Sequence, residues 1–505
     1  MDKIKINKTT VTISLMLLSI VVILLAVFPN GGLEVIENVF NFTTNTFGVG
    51  LLWFSLFCTI VCVYLFFSKY GNIKLGEGKP KYSLFSYIAM IICSGLASAS
   101  IYFSFVEWAF YYTSPALGID AESTQAVEYA MAYEFFHWGL ASWPPFAVAA
   151  LPIAYSFYVR KYKGLRFSSV LENMMTSKLK YPLGKLVDIL FIITVLGALG
   201  VTLGLGVPII STLISKIIGI PDGFGLNVGV VVFIALLFSL SSFVGVDKGM
   251  KRISDWNINF AILFILFILI TGPTLFLLKS ITNSLGIHLQ NYLSMVLWTD
   301  PIGNSGFPEA WTMFFICFAI SYAPLMALFI TKISQGRKIK EVVGSVVLGG
   351  SVGSYIIFGV NSGFAIHSQL LGKLNIPDIL ELPNGDSLAI VAILEQTILP
   401  NILAYIAIAV ILTLFLATSL DSAAHSLTLT SMIGEEKDEG ATSGLRLFWC
   451  IILSLLPLCM MFIGAPLSAI QTLAVVTGFP FALVMLFFIF GLFKWLKEDE
   501  KLLNK

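Results

Sequence analysis

The sequence predicts an all-α polytopic membrane protein of twelve spanning helices, the last ten forming two inverted repeats of five. Three observations carry this. The 505 residues are 57% hydrophobic with a mean hydropathy of +0.90, more apolar surface than a water-soluble core can hide. Lys and Arg gather in alternate connecting loops. Two long apolar segments, at corresponding places in the two halves, carry residues that interrupt a helix.

Apolar segments fall at 11–29, 46–67, 84–113, 130–159, 183–217, 226–246, 255–280, 309–333, 341–369, 400–432, 444–464 and 467–495. Each has the roughly 20 residues that a bilayer demands, and the longer ones must tilt or bend. The first follows Lys3 and Lys5 with no small-residue cleavage site behind it, so it reads as a span and not as a signal peptide. The second loop carries Lys69, Lys74, Lys79 and Lys81; the fourth Arg160, Lys161, Lys163, Arg166, Lys178 and Lys180; the sixth Lys248, Lys251 and Arg252; the eighth Lys332, Arg337, Lys338 and Lys340. The odd loops are acidic where charged, at Glu34, Asp120, Asp222, Asp378 and Glu381. Basic loops stay inside, which predicts a multi-pass protein of the cytoplasmic membrane with both termini in the cytoplasm. The expected layout is a segment with two peripheral helices (1–83), a first repeat (84–281), an external link (282–308), a second repeat (309–496) and a short tail (497–505). The link contains IHLQNYLSMVLW, which reads either as an amphipathic surface helix or as an ordinary loop.

Inside the third span the run CSGLASAS, residues 93–100, gives up large side chains before the carboxylate of Glu107. Small residues let helices pack closely. This run is small on every side, and so can also unwind and present bare backbone beside a cavity, at Gly95, Ala97 and Ala99. In the eighth span Pro324, within Ser321-Tyr322-Ala323-Pro324, removes a backbone donor and predicts a second break. Thr418 and Ser419, adjacent in mid-span, either back-bond to their own helix or offer oxygens to a hard cation. Glu107, Glu134, His137, Asp421 and His425 are ionisable residues in spans, each facing either a cavity or a neighbouring helix. Trp138 and Trp143, with Tyr322, Phe318 and Phe110, place aromatic rings near the two breaks, the material of a box for a quaternary ammonium group. The six cysteines lie in apolar segments without metal-ligand spacing. No nucleophile–base pattern or phosphate loop argues for an enzyme, and paired broken helices argue against a simple channel.

With these pieces in order, the chain resembles the betaine–choline–carnitine transporter family. The resemblance rests on the small-residue run ending in Glu107, FHWGLASW (136–143), LGLG (203–206), GVDKG (245–249), DPIGNSGFP (300–308), ITKISQGRKIKE (330–341) and ATSLDS (417–422). It implies a LeuT-like inverted-repeat core and secondary transport of a small quaternary-ammonium zwitterion such as glycine betaine, carnitine or choline. It implies no organic cofactor, a sodium ion for coupling, and a homo-oligomer, a trimer in the family. By motif position it assigns Trp138, Trp143 and Tyr322 to the aromatic box and Phe110 and Phe318 to further aromatic positions. It assigns Thr418 and Ser419, with carbonyls near Cys93, Leu96 and Phe415, to a sodium site. Three departures stand out. The glycine motif keeps only Gly95, followed by Ala97 and Ala99. Ala319 replaces a box Trp. Met326 matches a residue of sodium-independent exchangers, while Asn257 lacks the Arg charge that those exchangers carry. The resemblance therefore implies sodium symport, with exchange, or a different solute such as an amino acid or ectoine, as the alternatives.

Overall fold

The computed structural model describes residues 5–244, 246–433, 443–465 and 467–503. α1 (Lys8–Val27) opens on Asn7, whose side chain accepts the Thr10 N–H at 3.3 Å. α2 (Pro29–Phe67) follows at once, with Pro29 in the first turn, where no donor is missed. It takes in Glu34 and the whole stretch expected as a loop before residue 46. The third expected span is two helices, α3 (Leu84–Gly95), capped by Ser83, and α4 (Ala97–Thr113); the axes of 84–95 and 98–113 meet at 71°. The fourth is divided as well. α5 (Thr124–Trp138) stops before Gly139, and α6 (Trp143–Ala154) restarts on Pro144 and Pro145, which fit only a first helical turn. A π-helical turn at Tyr155–Val159 ends it.

α7 (Phe167–Met174) leads to α8 (Lys180–Ile218), which stops at the left-handed Gly219 (φ 72°), a conformation glycine adopts without a Cβ penalty. α9 (Phe224–Val244) and α10 (Val246–Thr271) precede α11 (Thr274–Leu297). A π-helical turn at Pro308–Met313 starts α12 (Phe314–Ile333). α13 (Ile339–Gly344), a third π turn and α14 (Gly350–Leu370) form the ninth expected span. The short α15 (Ile376–Leu380) and α16 (Gly385–Leu394) come before α17 (Asn401–Ser431), α18 (Ser443–Phe462) and α19 (Leu467–Leu503). Among the described residues the strands are two-residue ones, β1 (Lys5–Ile6) and β2 (Met432–Ile433), paired antiparallel. Nine helices among those residues are long and apolar enough to cross a membrane, eleven if each of two bent pairs is one span.

α12 is the centre of the molecule. The apolar window of Pro308–Ile333 is 94% buried, whereas that of α1 is 28% buried, so α1 lies at the periphery. α12 packs along α6 and α19, α8 along α17 and α19, and α4 along α5 and α14.

Two expectations need correction. Pro324 does not break its span: α12 runs unbroken from Phe314 to Ile333. One lost backbone hydrogen bond is tolerated in a helix packed on several sides, because its neighbours hold the helical path. The second interruption lies in the fourth span instead, between Trp138 and Trp143. The seventh span ends at Thr271, before 280, because Gly272-Pro273 stops the helix, and residues 256–271 and α11 meet at 110°. The link region is therefore helical through Leu297, not an ordinary loop, and its helix begins before residue 282.

The basic loops meet one another on one face. Leu75 N–H donates to the Arg337 carbonyl at 2.8 Å and Gly336 N–H to the Leu75 carbonyl at 2.7 Å. Lys69 pairs with Glu500, Arg160 with Glu498 and Asp499 (2.8 Å each), and Arg166 Nη1 donates to the Met432 carbonyl beside the β1–β2 pair. The second, fourth and eighth loops thus share their face with Lys5 and with the end of α19.

Candidate functional site

The two divided spans meet at a narrow cavity lined by Gly95, Leu96, Trp138, Ser142, Trp143, Phe146, Phe318, Ala319 and Tyr322, with about 20 Å³ of free space. That is room for about one water, so the rings stand closed on one another and must part to admit a solute. Trp138 and Trp143, five residues apart, would point apart on one continuous helix. They reach the same cavity because the chain leaves the helix between them: Gly139 has φ −105° and ψ −109°.

Trp138 is the last residue of α5. Its indole N–H donates to Glu107 Oε2 at 2.7 Å, and its ring packs on Phe358 (4.9 Å between centroids), Phe315 (5.5 Å), Phe103 (5.8 Å) and Phe318 (6.2 Å). Trp143 is held by glycines. A Cβ on Gly95 would lie 2.5 Å from Trp143 Cη2, and one on Gly350 would lie 2.2 Å from Cδ2. The indole N–H donates to Ser354 Oγ at 3.0 Å. Backbone at the bend therefore meets an aromatic ring, and only a residue without Cβ fits. Tyr322 completes the wall; its hydroxyl donates to Ser419 Oγ at 3.3 Å and its ring lies 6.0 Å from Phe318.

The remaining expected residues distribute around this centre. Leu96 and Ala319 line the cavity. Met326, one turn beyond Tyr322, is buried beside the bend, with its Cε 3.3 Å from where a Gly95 Cβ would be. Phe110 is not on the wall; it packs at a tilt on Trp311 at 5.1 Å, and Trp311 stacks on Phe315 at 6.4 Å, making a second aromatic layer. Ala99 is fully buried in α4 away from the wall, and the neighbouring Ser98 Oγ donates to the Thr202 carbonyl of α8 at 3.2 Å. Beyond the bend, then, the small residues serve close packing. The Ala97 side chain lies outside the described residues. Thr418 Oγ1 donates back to the Leu414 and Phe415 carbonyls, at 3.0 and 2.9 Å, which occupies its proton and leaves its lone pairs for a cation. Cys93 lies in the last turn of α3, two residues before the bend ends that helix.

A buried polar network backs the cavity. Tyr111 OH donates to Glu107 Oε1 at 2.7 Å and lies 2.9 Å from His137 Nδ1, while His137 Nε2 lies 3.1 Å from Thr312 Oγ1. Glu134 Oε1 accepts from the Trp108 N–H at 3.1 Å and from Ser362 Oγ at 2.7 Å. Sequence reasoning missed Ser142, Phe146, Gly350 and Ser354. The paired glycines 349–350 were the available signal, and their partner ring lies some two hundred residues away.

Comparison with known proteins accords with this geometry. A family model described as betaine/carnitine/choline family transporter matches residues 9–501. A carnitine transporter of Acinetobacter baumannii is 38% identical over 98% of this chain and 90% of its own length. The glycine betaine transporter OpuD of Bacillus subtilis is 30% identical over 94% and 92%. A solved structure of a sodium-coupled sialic acid symporter, in a substrate-bound outward-open state, superposes with a TM-score of 0.51 at 14% identity. It covers 87% of this chain and 86% of the other, so it shares the LeuT-like fold. With the family model spanning nearly the whole sequence, the chain belongs to the betaine/carnitine/choline family of transporters.

Proposed function

We propose that this protein is a secondary active transporter that imports a small quaternary-ammonium zwitterion, glycine betaine, carnitine or a close relative, coupled to sodium by alternating access. The observation that carries the reading is the convergence of Trp138, Trp143, Phe318 and Tyr322 on one small cavity at two helix breaks. Such rings hold a trimethylammonium group through their electron-rich faces, with no need of hydrogen bonds. In this scheme the repeats 84–281 and 309–496 rock about the cavity, the face bearing the basic loops and both termini is cytoplasmic, and the protein works as a homo-oligomer, a trimer by family likeness. Sodium sits between Thr418, Ser419 and Phe415 on α17 and the carbonyls of Cys93 and Leu96 at the bend. Asn257 supports this reading. It is neutral and buried, and its Oδ1 has no hydrogen-bond partner among the described residues, so it supplies no fixed charge in place of an ion.

Met326 beside the bend favours a second reading, a sodium-independent exchanger of carnitine and its product. Ala319 leaves one wall of the cavity without a ring, which favours a third, a carrier of a different solute such as an amino acid or ectoine; an ectoine/hydroxyectoine transporter of Virgibacillus pantothenticus is 28% identical to this chain. One experiment separates them. Labelled glycine betaine and carnitine are offered to proteoliposomes with an inward sodium gradient, in potassium alone, and after preloading with unlabelled solute. Symport requires the gradient and generates current. Uptake that is equally fast in potassium into preloaded vesicles identifies an exchanger, and no uptake of either solute sinks the quaternary-ammonium reading.

A further inference from the structure

Glu107 is a fully buried carboxylate that the transport scheme leaves without a task. It sits on α4, three turns past the first bend, and its two oxygens have separate partners. Oε1 accepts the Tyr111 hydroxyl and Oε2 accepts the Trp138 indole N–H, each at 2.7 Å. His137 Nδ1 stands 3.6 Å from Oε1. The other buried carboxylate nearby, Glu134, is engaged by Trp108 and Ser362 and does not touch the indole. Trp138 ends α5, and the residues after it are not helical.

We infer that Glu107 is a positioning residue for solute recognition: by accepting the Trp138 N–H it fixes the angle of the indole at the cavity and enriches its ring in electrons, and so sets the preference for a quaternary ammonium head group over an uncharged head group of the same shape. The chemistry is direct. A hydrogen bond to a buried carboxylate pulls the N–H proton outward and pushes charge back into the ring, and the attraction of a cation to a ring face grows with that charge. Packing against Phe358 and Phe103 confines the ring but cannot supply this charge.

This inference rests on the quaternary-ammonium reading, and its test keeps the two apart. The affinity of the purified full-length protein is measured for glycine betaine and for 3,3-dimethylbutanoate, the isostere that keeps the carboxylate but has an uncharged tert-butyl head in place of the trimethylammonium. Wild-type protein that does not prefer betaine defeats the functional reading, and this role with it. Given that preference, Glu107→Leu is expected to weaken betaine binding about tenfold while changing isostere binding little. Glu107→Gln, which keeps an acceptor that sets the ring's angle but lacks the charge, should fall between wild type and Glu107→Leu, about threefold weaker than wild type. Trp138→Phe removes the N–H together with the five-membered ring and should lose at least as much as Glu107→Leu. The double variant should bind no more weakly than the weaker single one, because both changes delete the same contact. A betaine-to-isostere ratio unchanged in Glu107→Leu overturns the inference, as do losses that multiply to about a hundredfold in the double variant. If Glu107→Leu does not fold, Trp138→Phe alone reads the ratio, and an unchanged ratio there overturns it equally.

Discussion

Gly95 is where the bend, the cavity and the close approach of Trp143 coincide, so Gly95→Ala tests the geometry most sharply. The added Cβ would lie 2.5 Å from Trp143 Cη2 and 2.8 Å from Cζ3. Carbon atoms settle at about 3.5–4.0 Å, so the ring must retreat by roughly 1 Å. It has little room to do so. Gly350 bounds the ring at its fused bond, where a Cβ would be 2.2–2.5 Å from three ring atoms, and Ser354 Oγ holds the indole N–H. Overpacking of this kind costs about 1–3 kcal/mol. Because the ring is a cavity wall, that strain is relieved most easily by moving it into the solute's space, and the expected outcome is binding weaker by about 5- to 150-fold. Gly350→Ala should do the same through the other side of the ring. Ser354→Ala, which removes one hydrogen bond without a clash, should weaken binding by about fivefold. Calorimetric titration of folded, monodisperse protein with betaine and carnitine is the assay, with the thermal midpoint recorded alongside. If Gly95→Ala and Gly350→Ala both bind like wild type, the glycines do not fix Trp143, and the account of the bend is wrong.

Other outcomes follow from the same structure. Trp138→Leu removes a desolvated ring–cation contact of about 2 kcal/mol and should weaken binding about 30-fold, read by the same titration. Thr418→Ala with Ser419→Ala should raise the sodium concentration needed for half-maximal uptake more than it alters the choice of solute; an unchanged sodium dependence would remove these hydroxyls from the ion site. Ala99→Leu forces a large side chain into a fully buried position off the cavity wall, so it should lower the thermal midpoint and the yield of folded protein, while transport per folded molecule survives. At the end of α19, hydrogen bonds from Lys69 and Tyr70 hold the Glu500 carboxyl below its usual range. A depressed carboxyl stabilises the fold above its unfolded pKa and loses that effect as pH falls through the folded value. Glu500→Gln should therefore narrow the difference in thermal midpoint between pH 7 and about pH 4, less so at high salt.

Membrane spans announce themselves in a single sequence because length and apolarity suffice, and α8, α12 and α17 lie where their apolar runs place them. Breaks are harder, since each is a contest between a local residue and the packing around it. Gly95 wins because a ring needs its missing Cβ, and Pro144 with Pro145 win because two adjacent prolines fit only a helix start. Pro324 loses inside α12, the most buried span. The aromatic set was legible as a set, and Trp138, Trp143, Phe318 and Tyr322 do share a wall. What holds each ring was not legible, since Gly350, Ser354 and the bond from Trp138 to Glu107 are contacts between distant parts of the chain.

Tyr322 gives the proposed coupling a physical form. Its ring faces the cavity and its hydroxyl donates to Ser419 Oγ, one residue from Thr418. The Ser419 oxygen has two lone pairs; one takes the Tyr322 proton and the other is available to a cation. A solute that presses on the Tyr322 ring and an ion bound at Ser419 would thus be one hydrogen bond apart. Each would favour the ring position that suits the other, and coupling of this kind is reciprocal by thermodynamic necessity. Tyr322→Phe keeps the ring and cuts that link. In the proposed scheme it should leave betaine affinity without sodium nearly unchanged and abolish most of the increase that sodium produces. An increase as large as in wild type would show that the two sites communicate by some other route, through the bend at Gly95 and Leu96 itself.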